Sequence, residues 1–142
     1  MKHIKIIFTV LTLAIFTVSC DDYKDFEQDR PAVVGFTGPA SINLPVQSGN
    51  STREREIPVF VSTSSNVDRT FTASAVDGTI ATSDNYSLSS VVIPANERTG
   101  ILLFTAIDAT LTSEEQPVVI AFDNAEGIVS GTQVTVNIST QN

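Results

Sequence analysis

The run Thr132-Gln133-Val134-Thr135-Val136-Asn137-Ile138-Ser139 sends Val134, Val136 and Ile138 to one side and Gln133, Thr135 and Asn137 to the other. A period of two, with β-branched residues on the apolar side, is the pattern of a half-buried strand and not of a helix. The alternation recurs upstream. Residues 56–62 point Ile57, Val59 and Val61 one way, and residues 70–76 do the same with Phe71, Ala73 and Ala75. Further strands are expected at 31–36, 41–46, 88–93, 100–107 and 117–122, separated by Thr37-Gly38-Pro39, by the polar loop Gln47-Ser48-Gly49-Asn50-Ser51-Thr52 and by Pro94-Ala95-Asn96-Glu97-Arg98. In the last of these turns Asn96 is suited to a left-handed backbone, which makes residues 88–93 and 100–107 a predicted hairpin.

From Pro31 onward no segment keeps a helical stripe for three turns. Short strands divided by turn residues at this spacing favour two packed antiparallel sheets over a parallel α/β fold, which needs helices between its strands. The expected fold is all-β, an immunoglobulin-like β-sandwich of seven or eight strands, with a small closed barrel as the alternative. At 142 residues there is room for one such domain.

The chain before the strands has a different composition. Met1-Lys2-His3-Ile4-Lys5 is basic, and an apolar run from Ile6 to Val18 ends at Ser19. This is the layout of a secretory signal over residues 1–19, too short to cross a bilayer core that needs roughly 20 apolar residues. Thr17-Val18-Ser19-Cys20 resembles a bacterial lipobox, in which the cysteine thiol takes a diacylglycerol before cleavage. Cys20, the sole cysteine, is the expected lipidation site, and it excludes an intramolecular disulfide. Residues 20–30 read as an acidic tether, Asp21-Asp22-Tyr23-Lys24-Asp25-Phe26-Glu27-Gln28-Asp29, similar to the export signal that carries some lipoproteins to the outer face of the outer membrane. Residues 31–142 are then the domain, lipid-anchored and facing the cell exterior.

Charge and composition exclude several functions. After the leader, six Lys and Arg stand against 16 Asp and Glu, a formal charge of −10, which argues against nucleic acid. The one histidine, His3, lies in the leader, so Ser-His-Asp, Cys-His and histidine-ligated metal chemistry are out of reach. Glu114 and Glu115 are adjacent on extended chain and point apart, unlike the facing acids of a glycosidase. A non-enzymatic accessory or binding module is expected, with the membrane and other outer-membrane proteins or glycans as partners and no cofactor.

Three blocks over residues 76–122 carry a further resemblance. Gly78-Thr79-Ile80-Ala81-Thr82-Ser83-Asp84-Asn85-Tyr86, then Val91-Val92-Ile93-Pro94-Ala95-Asn96-Glu97, then Ile107-Asp108 followed by Glu114-Glu115-Gln116-Pro117-Val118-Val119-Ile120, resemble a Calx-beta domain in order and spacing. The resemblance implies the sandwich fold, with Tyr86 closing one end and its hydroxyl at the rim. It also implies a place for calcium, held in that family by carboxylates at one end. Here Asn85 replaces the family's aspartate, and Ala109 and Thr110 follow Asp108 where aspartates would stand. Asp84, Asp108, Glu114 and Glu115 remain, at most a weak site for an ion that wants six to eight oxygens. A vestigial loop is the favoured reading and a calcium-binding adhesion or signalling module the alternative.

Two other features stand out. Arg53-Glu54-Arg55-Glu56 alternates charge where a strand begins, a common way to blunt a sheet edge. Residues 100–107 are apolar on both faces. With Leu102, Phe104 and Ala106 inward, Ile101 and Leu103 point outward, covered by a neighbouring segment or forming a patch for a partner.

Overall fold

Strands form where the alternation lies and stop where Gly, Pro or Asn bends the backbone. The computed structural model describes residues 30–141; the leader, Cys20 and the acidic run lie outside them. Among the described residues the elements are β1 (Ala32–Phe36), β2 (Ser41–Gln47), β3 (Thr52–Val61), β4 (Arg69–Phe71), β5 (Ala73–Ala75), a 3-10 turn (Ser83–Asn85), β6 (Tyr86–Leu88), β7 (Val91–Ile93), β8 (Thr99–Ile107), β9 (Gln116–Phe122), β10 (Ile128–Ser130) and β11 (Val134–Gln141). One sheet has the order β10-β1-β3-β8-β6, a second β2-β11-β9-β5, and β4 pairs with β7. Pairing is antiparallel except for β1 with β10 and β2 with β11. Both exceptions arise because the first segment changes sheets at Thr37-Gly38-Pro39-Ala40, where Gly38 takes φ 118°.

The inner faces are those read from the alternation. Ile57, Leu102 and Phe104 of the five-stranded sheet and Val118, Ile120 and Ile138 of the four-stranded one are buried together. Burial of side chains of this size is worth about 1.5–3 kcal/mol each, which is what drives the sheets together. Phe122 of β9 ties the layers, stacked on Phe36 of β1 at 4.8 Å and edge-on to Phe71 of β4 at 6.4 Å. Tyr86 lies parallel to Phe104, centroids 6.1 Å apart.

The expected hairpin forms only in its first part. Leu88 pairs with Phe104, and Ser89 exchanges hydrogen bonds with Leu103, its N–H donating to the carbonyl at 3.0 Å and its Oγ accepting from the amide at 2.9 Å. The chain then leaves β8. Val91–Ile93 pairs with β4 instead, and Val91 and Ile93 are fully buried. Gly100 lets them cross closely, since a Cβ there would lie 2.8 Å from Val91 Cγ1 and 3.0 Å from Ile93 Cγ1. Residues 70–76 likewise divide between two partners. The break is at Thr72, whose carbonyl accepts from Asp123 N–H at 2.9 Å, so that β4 joins β7 and β5 joins β9. The short β6 and β10 bring the strands to eleven among the described residues, against the seven or eight expected.

The charged run begins a longer strand than expected, and it does lie on an edge. β1 pairs with β3 only over Val59–Val61, so among the described residues the first half of β3 has β8 alone as a partner. Arg53 Nη1 donates to the Pro45 carbonyl of β2 at 2.7 Å, capping an acceptor that an incoming strand would need.

Asn96 has φ 65°, the one positive φ at a non-glycine among the described residues, as the turn reading required. Replacing it with alanine should cost about 1 kcal/mol, the left-handed penalty of a Cβ without a local hydrogen-bonding side chain, while glycine should be neutral within about 0.5 kcal/mol. Thermal unfolding of the two variants checks this. Equal melting temperatures would mean the turn relaxes out of the left-handed region.

Candidate functional site

β3 and β8 are antiparallel, so the loop before β3, the loop after β8 and the turn before β6 gather at one end of the sandwich. The 3-10 turn closes with Asn85 N–H donating to the Thr82 carbonyl at 3.0 Å. That turns the Asn85 side chain inward, where it is 1% exposed. Its Nδ2 donates to Thr82 Oγ1 at 3.1 Å and Thr110 Oγ1 at 3.0 Å, and its Oδ1 accepts from Thr110 N–H at 2.9 Å. One uncharged amide thus satisfies a part-buried backbone donor and ties the turn to the loop after β8. A second set of bonds ties that loop onward. Asp108 N–H donates to the Ser51 carbonyl at 2.9 Å, and Asp108 Oδ2 accepts from Thr140 Oγ1 at 3.0 Å.

The candidate calcium residues are dispersed around this framework. Asp108 is half-buried and engaged with Thr140, while Asp84, Glu114 and Glu115 are exposed. Among the described residues, nowhere do three or more His, Cys, Asp or Glu come together in a group that could hold a metal ion.

The outward pair on β8 is where the alternation placed it. Ile101 is 53% exposed and Leu103 half-buried. The register sets Ile101 opposite Pro58 and Leu103 opposite Glu56. The apolar surface extends further than this pair. Phe60 lies two residues along β3 from Pro58, and Val33 and Val129 are cross-strand partners farther out on the same sheet. Phe60 could have been found from the sequence, because Val59 and Val61 point inward and leave it outward. Val129 could not, because its strand has three residues.

No family model matches the chain, and no curated protein matches it. Solved structures do. A two-domain protein of unknown function from Bacteroides fragilis superposes with a TM-score of 0.62 at 13% identity, over 80% of this chain and 47% of that one. The apo form of the Calx CBD1 domain gives 0.55 at 17% identity, over 80% of this chain and 100% of that one. A Bacteroides ovatus protein for which carbohydrate binding has been suggested gives 0.56 at 9% identity, over 75% of this chain and 36% of its own. The chain spans about half the length of the first, all of the second and about a third of the last. Likeness at these identities concerns the fold, which is a Calx-beta-like β-sandwich.

Proposed function

We propose that this chain is a non-enzymatic cell-surface lipoprotein, its Calx-beta-like sandwich serving as a binding or accessory module held to the outer membrane through Cys20 and facing the exterior. The observation that carries the reading is the place of the sole cysteine, at the end of a basic and then apolar leader and directly before an acidic run. A diacylglyceryl group on that thiol supplies two acyl chains, and each buried methylene contributes about 0.8 kcal/mol, enough to anchor a protein that spans nothing. A binding role is supported by the fold shared with the Calx domains and with the Bacteroides ovatus protein. Outer-membrane proteins or glycans are the partners this reading implies. The absence of histidine after position 3 supports a module without catalysis.

Cys20→Ala should move the protein from the membrane fraction to the soluble one and abolish incorporation of labelled fatty acid. Membrane association that is unchanged in the variant, with no acyl chain on the wild type, would remove the reading.

The full-length match to Calx CBD1 favours a second reading, a calcium-binding adhesion or signalling module. The uncharged Asn85 bridge weighs against it, because it already joins the loops that carboxylates and a cation would hold. Millimolar calcium should therefore leave the melting temperature unmoved and produce no saturable heat in calorimetry. An ion present at a hundred times its Kd would add about 2.7 kcal/mol and raise the melting temperature by roughly 10 °C or more. A rise of that order would install the second reading in place of the first.

A further inference from the structure

We propose that the outer face of the five-stranded sheet, at the end where the chain enters the domain, rests on the bilayer that holds the anchor, with Val33, Phe60, Ile101 and Val129 at the boundary between lipid headgroups and acyl chains. Seven large hydrophobic side chains are exposed among the described residues, and these four share this one face. Exposed apolar side chains gathered on one side of a sheet mark an interaction surface, where single scattered ones would not.

The register makes the patch continuous. Val129 stands beside Val33, whose N–H donates to Ser62 Oγ and whose carbonyl accepts from Ser62 N–H, both at 2.9 Å. Phe60 follows two residues back along β3 with Gly35 as its neighbour on β1, so no side chain interrupts the surface there. Pro58 then faces Ile101 on β8. The patch crosses four strands, about 15 Å at the usual spacing. The carboxylates of this face, Glu54 and Glu56, stand farther along β3, away from the start of β1.

That placement points to the occupant. Cys20 is ten residues before Arg30, and ten residues extend to about 35 Å at most. β1 begins two residues after Arg30, and Val33 is its first outward side chain. An acylated Cys20 therefore keeps this end of the face within reach of the bilayer. A short flexible linker holds its module at a millimolar effective concentration, so a contact too weak to recruit a free protein is occupied when tethered. Aromatic and branched aliphatic side chains on a surface with a polar opposite face suit the headgroup boundary. A second copy fits less well, because each carries a formal charge of −10 after the leader and two copies repel, whereas a zwitterionic headgroup layer does not.

The inference rests on the anchoring proposed above, and its test separates the two. The acylated full-length protein, 15N-labelled, is set in nanodiscs of phosphatidylcholine and phosphatidylethanolamine, with and without a lipid bearing a nitroxide near the top of its acyl chain. Nuclear magnetic resonance reads the paramagnetic broadening amide by amide. Because the two sheets pack about 10 Å apart, broadening at Val33, Phe60, Ile101 and Val129 should exceed by about threefold or more that at Asn43 and Asn137, on the outer face of the other sheet. Phe60→Thr combined with Ile101→Thr keeps residues suited to strands and should abolish the contrast while the protein stays acylated and in the membrane fraction. Should that double variant unfold, Ile101→Thr alone, at a site 53% exposed, serves in its place and should weaken the contrast. Val92→Thr, equally exposed but on β7, should leave the contrast unchanged. Equal broadening of the two faces with Cys20 acylated would overturn the inference and leave the anchoring intact. A contrast that survives the double variant would overturn it as well, as would broadening of this face that needs no nitroxide and grows with the number of copies per disc, the mark of a second copy. An unacylated wild type would remove both readings.

Discussion

Truncating Phe104 to alanine should lower the unfolding free energy of the sandwich by about 3–5 kcal/mol. Phe104 is fully buried in the middle of β8, with Leu88 of β6 on one side and Arg55 of β3 on the other. Its ring carries the contact with Tyr86 as well as the core between the sheets. Removing it forfeits the transfer free energy of the ring and leaves a cavity that strands bonded on both sides cannot collapse to fill. Domains of this size are stable by about 5–15 kcal/mol in all, so the variant should keep its fold with a much smaller margin. With a urea m-value of about 1–3 kcal/mol/M, the midpoint should fall by about 1 M or more with m unchanged. Phe60→Ala is the matched control. It is the same truncation on the adjacent strand, but Phe60 is 40% exposed on the outer face and should cost about 1 kcal/mol or less. Equal losses for the two phenylalanines would contradict the assignment of inner and outer faces.

The second large effect is expected at Asn85. Leucine has the same heavy-atom branching but makes none of the amide's hydrogen bonds, leaving Thr110 N–H and the Thr82 and Thr110 hydroxyls facing an apolar side chain at a position 1% exposed. Thr82 and Thr110 are exposed, so their hydroxyls can turn to water, and the lasting cost is the lost acceptor of the part-buried Thr110 N–H together with the lost tie between the turn and the loop, about 1–3 kcal/mol. The loss should be local as well as global. Hydrogen exchange at Thr110 should speed up far more than at Leu102, because the loop after β8 loses its tie to the 3-10 turn before the core opens. A variant with wild-type exchange at Thr110 would show that the loop is held by other means, such as the Asp108 bonds to Ser51 and Thr140.

Asn85 also shows how far the sequence could be read at this end. The replacement of an acidic residue by a neutral one was visible as a departure from the Calx-beta pattern. What the amide does in exchange was not visible. Its partner Thr110 is 25 residues away and reaches it only when β6 and β8 are side by side. Ile101 and Leu103 were legible because their direction follows from their neighbours on one strand.

Local chemistry settled the direction of each side chain and the conformation of each turn. Alternation marked Val134, Val136 and Ile138 for the core, and the short polar side chain of Asn96 suited it to a positive φ, because both depend on residues within a few positions. Which strand lies beside which was settled by packing across the molecule. Residues 88–93 carry a pattern that fits either β8 or β4, and the chain changes sheets after Ser89 because Gly100 leaves room for Val91 and Ile93 to cross into the core. Pairing across tens of residues depends on that burial. Nothing in the alternation of a single strand encodes it.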